Sequence, residues 1–328
     1  IQQKNNQMEI IKKQLFFEII KQMDTVPFTQ SKGWDKYMST NDNSVYFVDN
    51  STNPTICCRG ELYKKPLIGS ILRIQGEAIK NPELETIRNF YAEITKIGYS
   101  LIFVSSLSLY NIEYEIGIRQ AGFIRPLHQT TCPLTILVNT IDRPLPHRSW
   151  KNNVKKAINA KCSFEVISKP TMDECEIFAQ IFSEMAKIKH LTYTLDKKDI
   201  YNLLHDPNFK LFFVYNETGT IVSGRIVYIE NKQAWDIYGA NSSYSRKNGA
   251  SYFILDKILD YLSENNIKIF DFGRIGPGIN SSNLVYLFKQ SSGGYPVQYN
   301  GEWIFSKNKY NELALLTYRY ILKNSIRY

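Results

Sequence analysis

Residues able to do chemistry concentrate between Gly249 and Trp303. Phe270-Asp271-Phe272-Gly273-Arg274 ends an apolar run on a glycine and two charges, and Gly276-Pro277-Gly278 follows. Phe288-Lys289 comes shortly before Gly293-Gly294. Glycine and proline interrupt regular structure, and loops at strand ends are where binding groups collect. Upstream, Arg225 interrupts the apolar run Ile221 to Ile229. A guanidinium there can hold a phosphate or a carboxylate; it can equally snorkel from a sheet edge. Asp236 and Tyr238 carry the same two readings. Metal chemistry is not expected: His128, His147, His190 and His205 are scattered, and no pair has a zinc-ligand spacing.

The elements that must position these groups follow from periodicity. Ile254, Leu255, Ile258, Leu259 and Leu262 recur at helical spacing, and Ile267 to Phe272 reads as a buried strand. Val297 to Ile304 reads as a hairpin with Asn300-Gly301 at its tip. Toward the start, Met8, Ile11, Leu15, Phe16, Ile19 and Ile20 mark one face of an opening helix. Strands are expected near Val45, Ile56 and Ile71. A helix carrying Leu84, Ile87, Phe90, Tyr91 and Ile94 stops at Gly98. Leu101 to Val104 is too apolar to have a solvent face. After Asp142 to Ser149, which holds two prolines, the order repeats, and a last helix carries Leu313, Leu316, Tyr320 and Ile321. Each half is antiparallel strands followed by a strand–helix–strand crossover. That is an α/β (α+β) arrangement with mixed sheets, as in acetyltransferase-like (GNAT) acyl-CoA N-acyltransferase domains. Two such domains in tandem are expected, over residues 1–143 and 144–328.

The 328 residues suit two domains of ordinary size. The formal net charge of +9 is compatible with a phosphorylated substrate or RNA, and with solubility alone. The five cysteines form no Cys-x-x-Cys pair, which fits a reducing compartment. No stretch approaches a spanning helix or a secretory signal, so a cytoplasmic protein is expected.

Two resemblances carry function. Arg246-Lys247-Asn248-Gly249-Ala250-Ser251 resembles the acetyltransferase loop Arg/Gln-x-x-Gly-x-Gly/Ala, with Ser251 where glycine or alanine is usual. That loop aims backbone N–H groups and a helix N-terminus at the pyrophosphate of acetyl-CoA. If CoA is used, Arg246, Gly249 and Ala250 would hold it; the plainer reading is a helix start with no CoA bound.

Gln30-Ser31 with Trp34, the basic helix Trp150 to Ala160, Tyr238-Gly239-Ala240, Asp271 at a strand end, and Phe288-Lys289 with Gly293-Gly294 together resemble the Fem family. These are the peptidoglycan-bridge aminoacyltransferases, or non-ribosomal peptidyltransferases. The resemblance covers most of the chain as scattered short matches. It implies two tandem GNAT-like domains that move an aminoacyl group from aminoacyl-tRNA to an amine of a peptidoglycan precursor. It implies no cofactor, no DNA partner and no integral membrane segment, with peripheral membrane contact only through a lipid-linked substrate. It makes Lys289, Phe288 and Arg274 the catalytic candidates, with Lys289 stabilising an oxyanion. Lys36, Trp34, Arg225, Tyr238 and Asp271 become the substrate-binding candidates. The chain departs from the family pattern at Ser292, where a phenylalanine is usual, and near Met38, where a phosphate-holding lysine is usual. It also lacks the long helical hairpin of some members. The alternatives are a CoA-dependent N-acetyltransferase acting on a nucleotide-sugar or peptide amine, with acetyl-CoA as co-substrate, and a non-catalytic binding protein on the same fold.

Overall fold

The computed structural model describes residues 8–38, 43–66, 68–126, 131–191, 193–275 and 284–308, with 310, 311 and 313. Gly276-Pro277-Gly278 and nearly all of the expected last helix lie outside the described residues. The chain forms two compact units. Described residues of unit 1 lie within Ile1–Leu134, Arg274–Pro277 and Val297–Tyr328, and those of unit 2 within Thr135–Gly273 and Gly278–Pro296.

In unit 1 the strands run in the order Glu9–Ile11, Ser44–Val48, Ile56–Lys65, Gly69–Gln75, Leu101–Leu109 and Tyr295–Ser306. All neighbours are antiparallel except Gly69–Gln75 with Leu101–Leu109, where Ile71 faces Leu101 and Gln75 faces Ser105. Parallel neighbours need a crossover, and helix Leu84–Lys96 lies on it. Ile87, Phe90, Tyr91 and Ile94 of that helix are buried with Leu72, Ile74, Ile102, Val104 and Trp303. Each such side chain contributes about 1.5–3 kcal/mol.

In unit 2 the order is Leu134–Asn139, Ile269–Asp271, Gln233–Asn241, Ile221–Glu230, Phe209–Tyr215 and Ser163–Ile167. Again a single pair is parallel, Gln233–Asn241 with Ile269–Asp271. Helices Ser243–Asn248 and Ala250–Glu264 lie on its crossover. Helix Met172–Lys189 starts on a capping box: Thr171 accepts from the Glu174 backbone N–H while the Glu174 carboxylate accepts from that of Thr171.

Three expectations change. Met8 to Ile11 does not join the opening helix. Residues 9–11 pair as a strand with Ser44–Val48, and the helix is only Lys13–Ile19, with Leu15 exposed. An apolar run this short fits either element until a partner strand claims its backbone. Second, Val297 to Ile304 is not a hairpin but the middle of one strand with a bulge, since Tyr299 faces Leu109 and Gly301 faces Ser106. The Asn300 amide, which a turn would expose, is buried; it donates to Ser108 Oγ and accepts from the Asn111 N–H. Third, a single cut after residue 143 does not follow the units. The strand at 134–139 pairs with Ile269–Asp271 in unit 2, and residues 299–306 pair with Leu101–Leu109 in unit 1. Each sheet takes its last strand from the other half of the sequence.

Candidate active site

Unit 2 gathers four charged side chains, Arg225, Asp236, Asp271 and Lys289. Arg225 faces Gly239 across the strand pair, and its guanidinium fills the space that a side chain at 239 would need. The register then slips: Ile226 faces Tyr238 and Val227 faces Asp236, leaving Ile237 as an extra residue. A one-residue slip moves every later side chain to the opposite face, which brings Asp236 round to Arg225. Arg225 Nη1 and Asp236 Oδ2 lie 2.5 Å apart in a buried ion pair. Arg225 Nε and Asp236 Oδ1 are also buried, and neither has a hydrogen-bond partner among the described residues. Buried polar atoms left unmet are costly and call for explanation, an absent ligand being one.

Lys289 sits on helix Leu284–Gln290. Its Nζ donates to the carbonyl oxygens of Phe272 at 2.6 Å and Gly273 at 3.3 Å. Burial draws its pKa down to about 8; Asp236 and Asp271 pull it back up, while Arg225 and Lys189 push it lower. A lysine so placed is a cation at neutral pH that can still release its proton nearby. Asp271 is buried and accepts from Thr135 Oγ at 2.5 Å and from the Gly273 N–H at 2.8 Å, so it also fixes the turn that presents those two carbonyls.

The surroundings of Lys289 explain the motif. Phe288 stacks in an aromatic cluster with Trp150 and Tyr252, with ring centroids 5.8 and 4.7 Å away. Ser291 and Ser292 donate to the carbonyls of Phe288 and Lys289, satisfying helix-end acceptors that otherwise lack partners. Ser292, the departure from the Fem pattern, is therefore a buried cap. Gly293 and Gly294 pass so close to the backbone at 144–145 and 137 that a side chain would collide with it.

The other expected residues are placed as follows. Tyr238 turns its ring to Phe182 of helix Met172–Lys189. Arg246 is exposed and donates to the Asn241 carbonyl. It lines a cleft of about 300 Å³ with Lys187, Ser242 and Ser243. Gly249 and Ala250 are buried, and a Cβ on Gly249 would stand 2.1 Å from the Asn153 carbonyl oxygen. In unit 1, Arg274 Nη2 donates to Ser105 Oγ at 2.7 Å, and burial lowers its pKa against the pull of Glu302 and Tyr299. Lys36 is exposed on helix Lys32–Met38. Trp34 is 9% exposed and packs on Phe28 and Tyr37. Gln30 clamps two backbone segments, accepting from the Arg59 N–H and donating to the carbonyls of Gln75 and Gly76. Next to it, burial alone would raise the Asp35 carboxyl, but bonds from Lys13 and Arg59 hold it below its ordinary value.

Sequence reasoning did not single out Thr135 or Lys189. Thr135 is a lone hydroxyl in an apolar strand. Lys189 ends a helix, where a cation suits the dipole and attracts no notice. Burial lowers its pKa, and repulsion from Arg225 and Arg246 adds to the effect.

No family model matches the sequence, and no curated protein matches it. Solved structures do match. FemX superposes with a TM-score of 0.77 at 14% identity, over 94% of this chain and 99% of FemX. The fold is Fem-like. L-PGS from Bacillus licheniformis follows with a TM-score of 0.62 at 9% identity, covering 96% and 98% of the two chains. A tandem GNAT protein from the clavulanic acid biosynthesis pathway gives 0.53 at 8%, covering 92% and 99%. The tandem GNAT-like architecture expected from element order is thus found, at identities too low to carry function. Among the described residues no helix is long and apolar enough to cross a membrane, and no cluster of His, Cys, Asp and Glu could hold a metal ion.

Proposed function

We propose that the protein is an aminoacyltransferase that moves an aminoacyl group from aminoacyl-tRNA to an amine of a peptidoglycan precursor. The observation that carries this reading is Lys289: a half-buried lysine with a lowered pKa, aimed at a strand end beside the Arg225–Asp236 pair. The acceptor amine attacks the ester carbonyl carbon, and a C–N bond forms. The carbonyl oxygen gathers negative charge, which the Lys289 ammonium stabilises more strongly than it did the neutral carbonyl. Collapse breaks the C–O bond to the ribose, and the proton lost by the amine ends on the ribose oxygen. Arg225, with a buried Nε to spare, holds an acidic group of a substrate. The test incubates the protein with aminoacyl-tRNA and a nucleotide-linked muropeptide bearing a free amine, and follows the muropeptide mass. Gain of one aminoacyl residue is expected. No gain with any aminoacyl-tRNA, together with acetylation by acetyl-CoA, would overturn the reading.

One observation favours the second reading, a CoA-dependent N-acyltransferase. The cleft lined by Asn241, Ser242, Ser243 and Arg246 lies beside the loop that resembles the acetyl-CoA motif. Calorimetric titration with acetyl-CoA decides: micromolar binding supports this reading, and no heat removes it.

A further inference from the structure

Helix Arg148–Asn159 carries Arg148, Lys151, Lys155 and Lys156 and contains neither Asp nor Glu. All four cations are exposed. Arg148, Lys151 and Lys155 are three and four residues apart, so they line one stripe about 10 Å long. The basic residues flanking the helix are paired, Arg143 with Asp256 and Asp260 and Lys161 with Glu217. No described acidic side chain forms an ion pair with the four on the helix. This arrangement works against stability. Like charges at such spacings repel, and Arg148 in the first turn opposes the helix dipole.

The opposite face is anchored to unit 2, with only Ile158 of its apolar residues left largely exposed. Trp150 and Ala157 are buried, Trp150 Nε1 donates to Asp256 at 2.9 Å, and the Asn153 carbonyl closes on Gly249. Helix Ser243–Asn248, with exposed Arg246 and Lys247, packs on the same helix. With Trp150 and Ala157 buried, one exposed isoleucine is too little apolar surface to lay into a bilayer. What remains is a rigid outward row of cations, which matches the regular negative charge of a phosphodiester backbone.

We propose that the outer face of helix Arg148–Asn159 docks the phosphodiester backbone of an RNA. The proposal deepens the aminoacyl-tRNA reading above and rests on it for the choice of RNA. It assigns the work of holding the RNA body to residues outside the reacting centre.

The test measures the binding of a fluorescein-labelled RNA hairpin with a single-stranded 3′ tail by anisotropy, between about 50 and 200 mM salt. The proteins compared are the full chain, an Arg148→Gln/Lys151→Gln/Lys155→Gln variant, and a control with Lys12, Lys64 and Lys65 changed to Gln. Three lost phosphate contacts should make the slope of log K against log salt less negative by about 2–3. The helix variant should show that change and melt no lower than the wild type, since its repulsion is relieved. The control should bind like the wild type. No RNA binding by the wild type, or a helix variant no worse than the control, overturns the proposal. So does loss of binding to phosphatidylglycerol vesicles while hairpin binding persists, which would make the partner a lipid surface. Because no turnover is measured, a failed docking surface leaves the Lys289 chemistry standing. Conversely, wild-type transfer by Lys289→Met would remove that chemistry while the docking result stands.

Discussion

The guanidinium of Arg225 stands where a side chain at Gly239 would be: a Cβ there would lie 2.6 Å from both Cζ and Nη1. Glycine at 239 is thus part of the arginine's site. Gly239→Ala should displace the guanidinium, the mobile end of a long side chain, and so break its buried pair with Asp236 at a cost of about 3 kcal/mol or more in urea unfolding. Affinity for a phosphate-bearing muropeptide should fall about tenfold or more, the worth of one charge-assisted hydrogen bond. Calorimetric titration measures this, and unchanged affinity would take Arg225 out of substrate binding.

The Arg225–Asp236 pair should behave as a unit. Asp236→Leu leaves the guanidinium buried and unpaired, and should cost about 3–5 kcal/mol in urea unfolding. Arg225→Met in the same chain should recover most of that loss, because two apolar side chains replace two charges. A double variant whose loss equals the sum of the two single losses would show that the two residues are not coupled.

Lys289→Met keeps the aliphatic stem and removes the charge. Turnover should fall about a hundredfold or more, the scale of a single oxyanion donor, while substrate affinity holds. A variant with wild-type turnover and unchanged melting would leave the Phe288-Lys289 match as a packing feature.

The pH dependence follows from the same side chain. Burial lowers its folded pKa to about 8 from the ordinary 10.5. The folded state therefore binds fewer protons than the unfolded state between those values. Below pH 8 the charged lysine costs stability, and that cost is removed as pH rises from about 8 to 10.5. Relative to Lys289→Met, the wild type should gain stability across this window. Turnover should move the other way and fall above about pH 8 as the ammonium is lost. A flat rate profile through pH 9.5 would contradict the oxyanion role.

Gly249→Ala tests the buried loop. Gly249 has φ +75 and faces the Asn153 carbonyl. Left-handed strain and overpacking together should cost about 2–4 kcal/mol, read by chemical denaturation. A neutral outcome would mean that the loop can open away from helix Arg148–Asn159, as CoA binding there would require.

Much of this was legible in the sequence. The helix through Ile254 and Leu262 and the strand from Leu101 declared themselves by period and by unbroken apolar character. Phe288-Lys289 with Gly293-Gly294 stood out through resemblance to the Fem motif, since a Phe-Lys pair alone reads as a surface lysine after an aromatic. What was hidden depends on partners far away in the chain. The slip at Ile237 that brings Asp236 to Arg225 leaves no composition signal. Asn300-Gly301 suits a turn tip and a bulge equally well, and only Ser108 and Asn111 decide. Met8 to Ile11 satisfies a helical period, and Glu9–Ile11 still pairs as a strand. The early Gln30 and Trp34 stood out as motif residues, but their types alone did not show that they clamp backbone and fill a core.

The exchange of last strands bears on how the protein is made. Leu101–Leu109 leaves the ribosome with one edge of its backbone unpaired, and the residues that will cover it, 299–306, come about 200 residues later. At ordinary synthesis rates that interval is roughly 10–40 s. Throughout it the nascent chain displays a long apolar strand edge, the kind of surface that chaperones hold and that aggregates seed from. Unit 2 has no such delay, because its borrowed strand at 134–139 is already made when Ile269–Asp271 appears. The second unit can thus complete its sheet before the first.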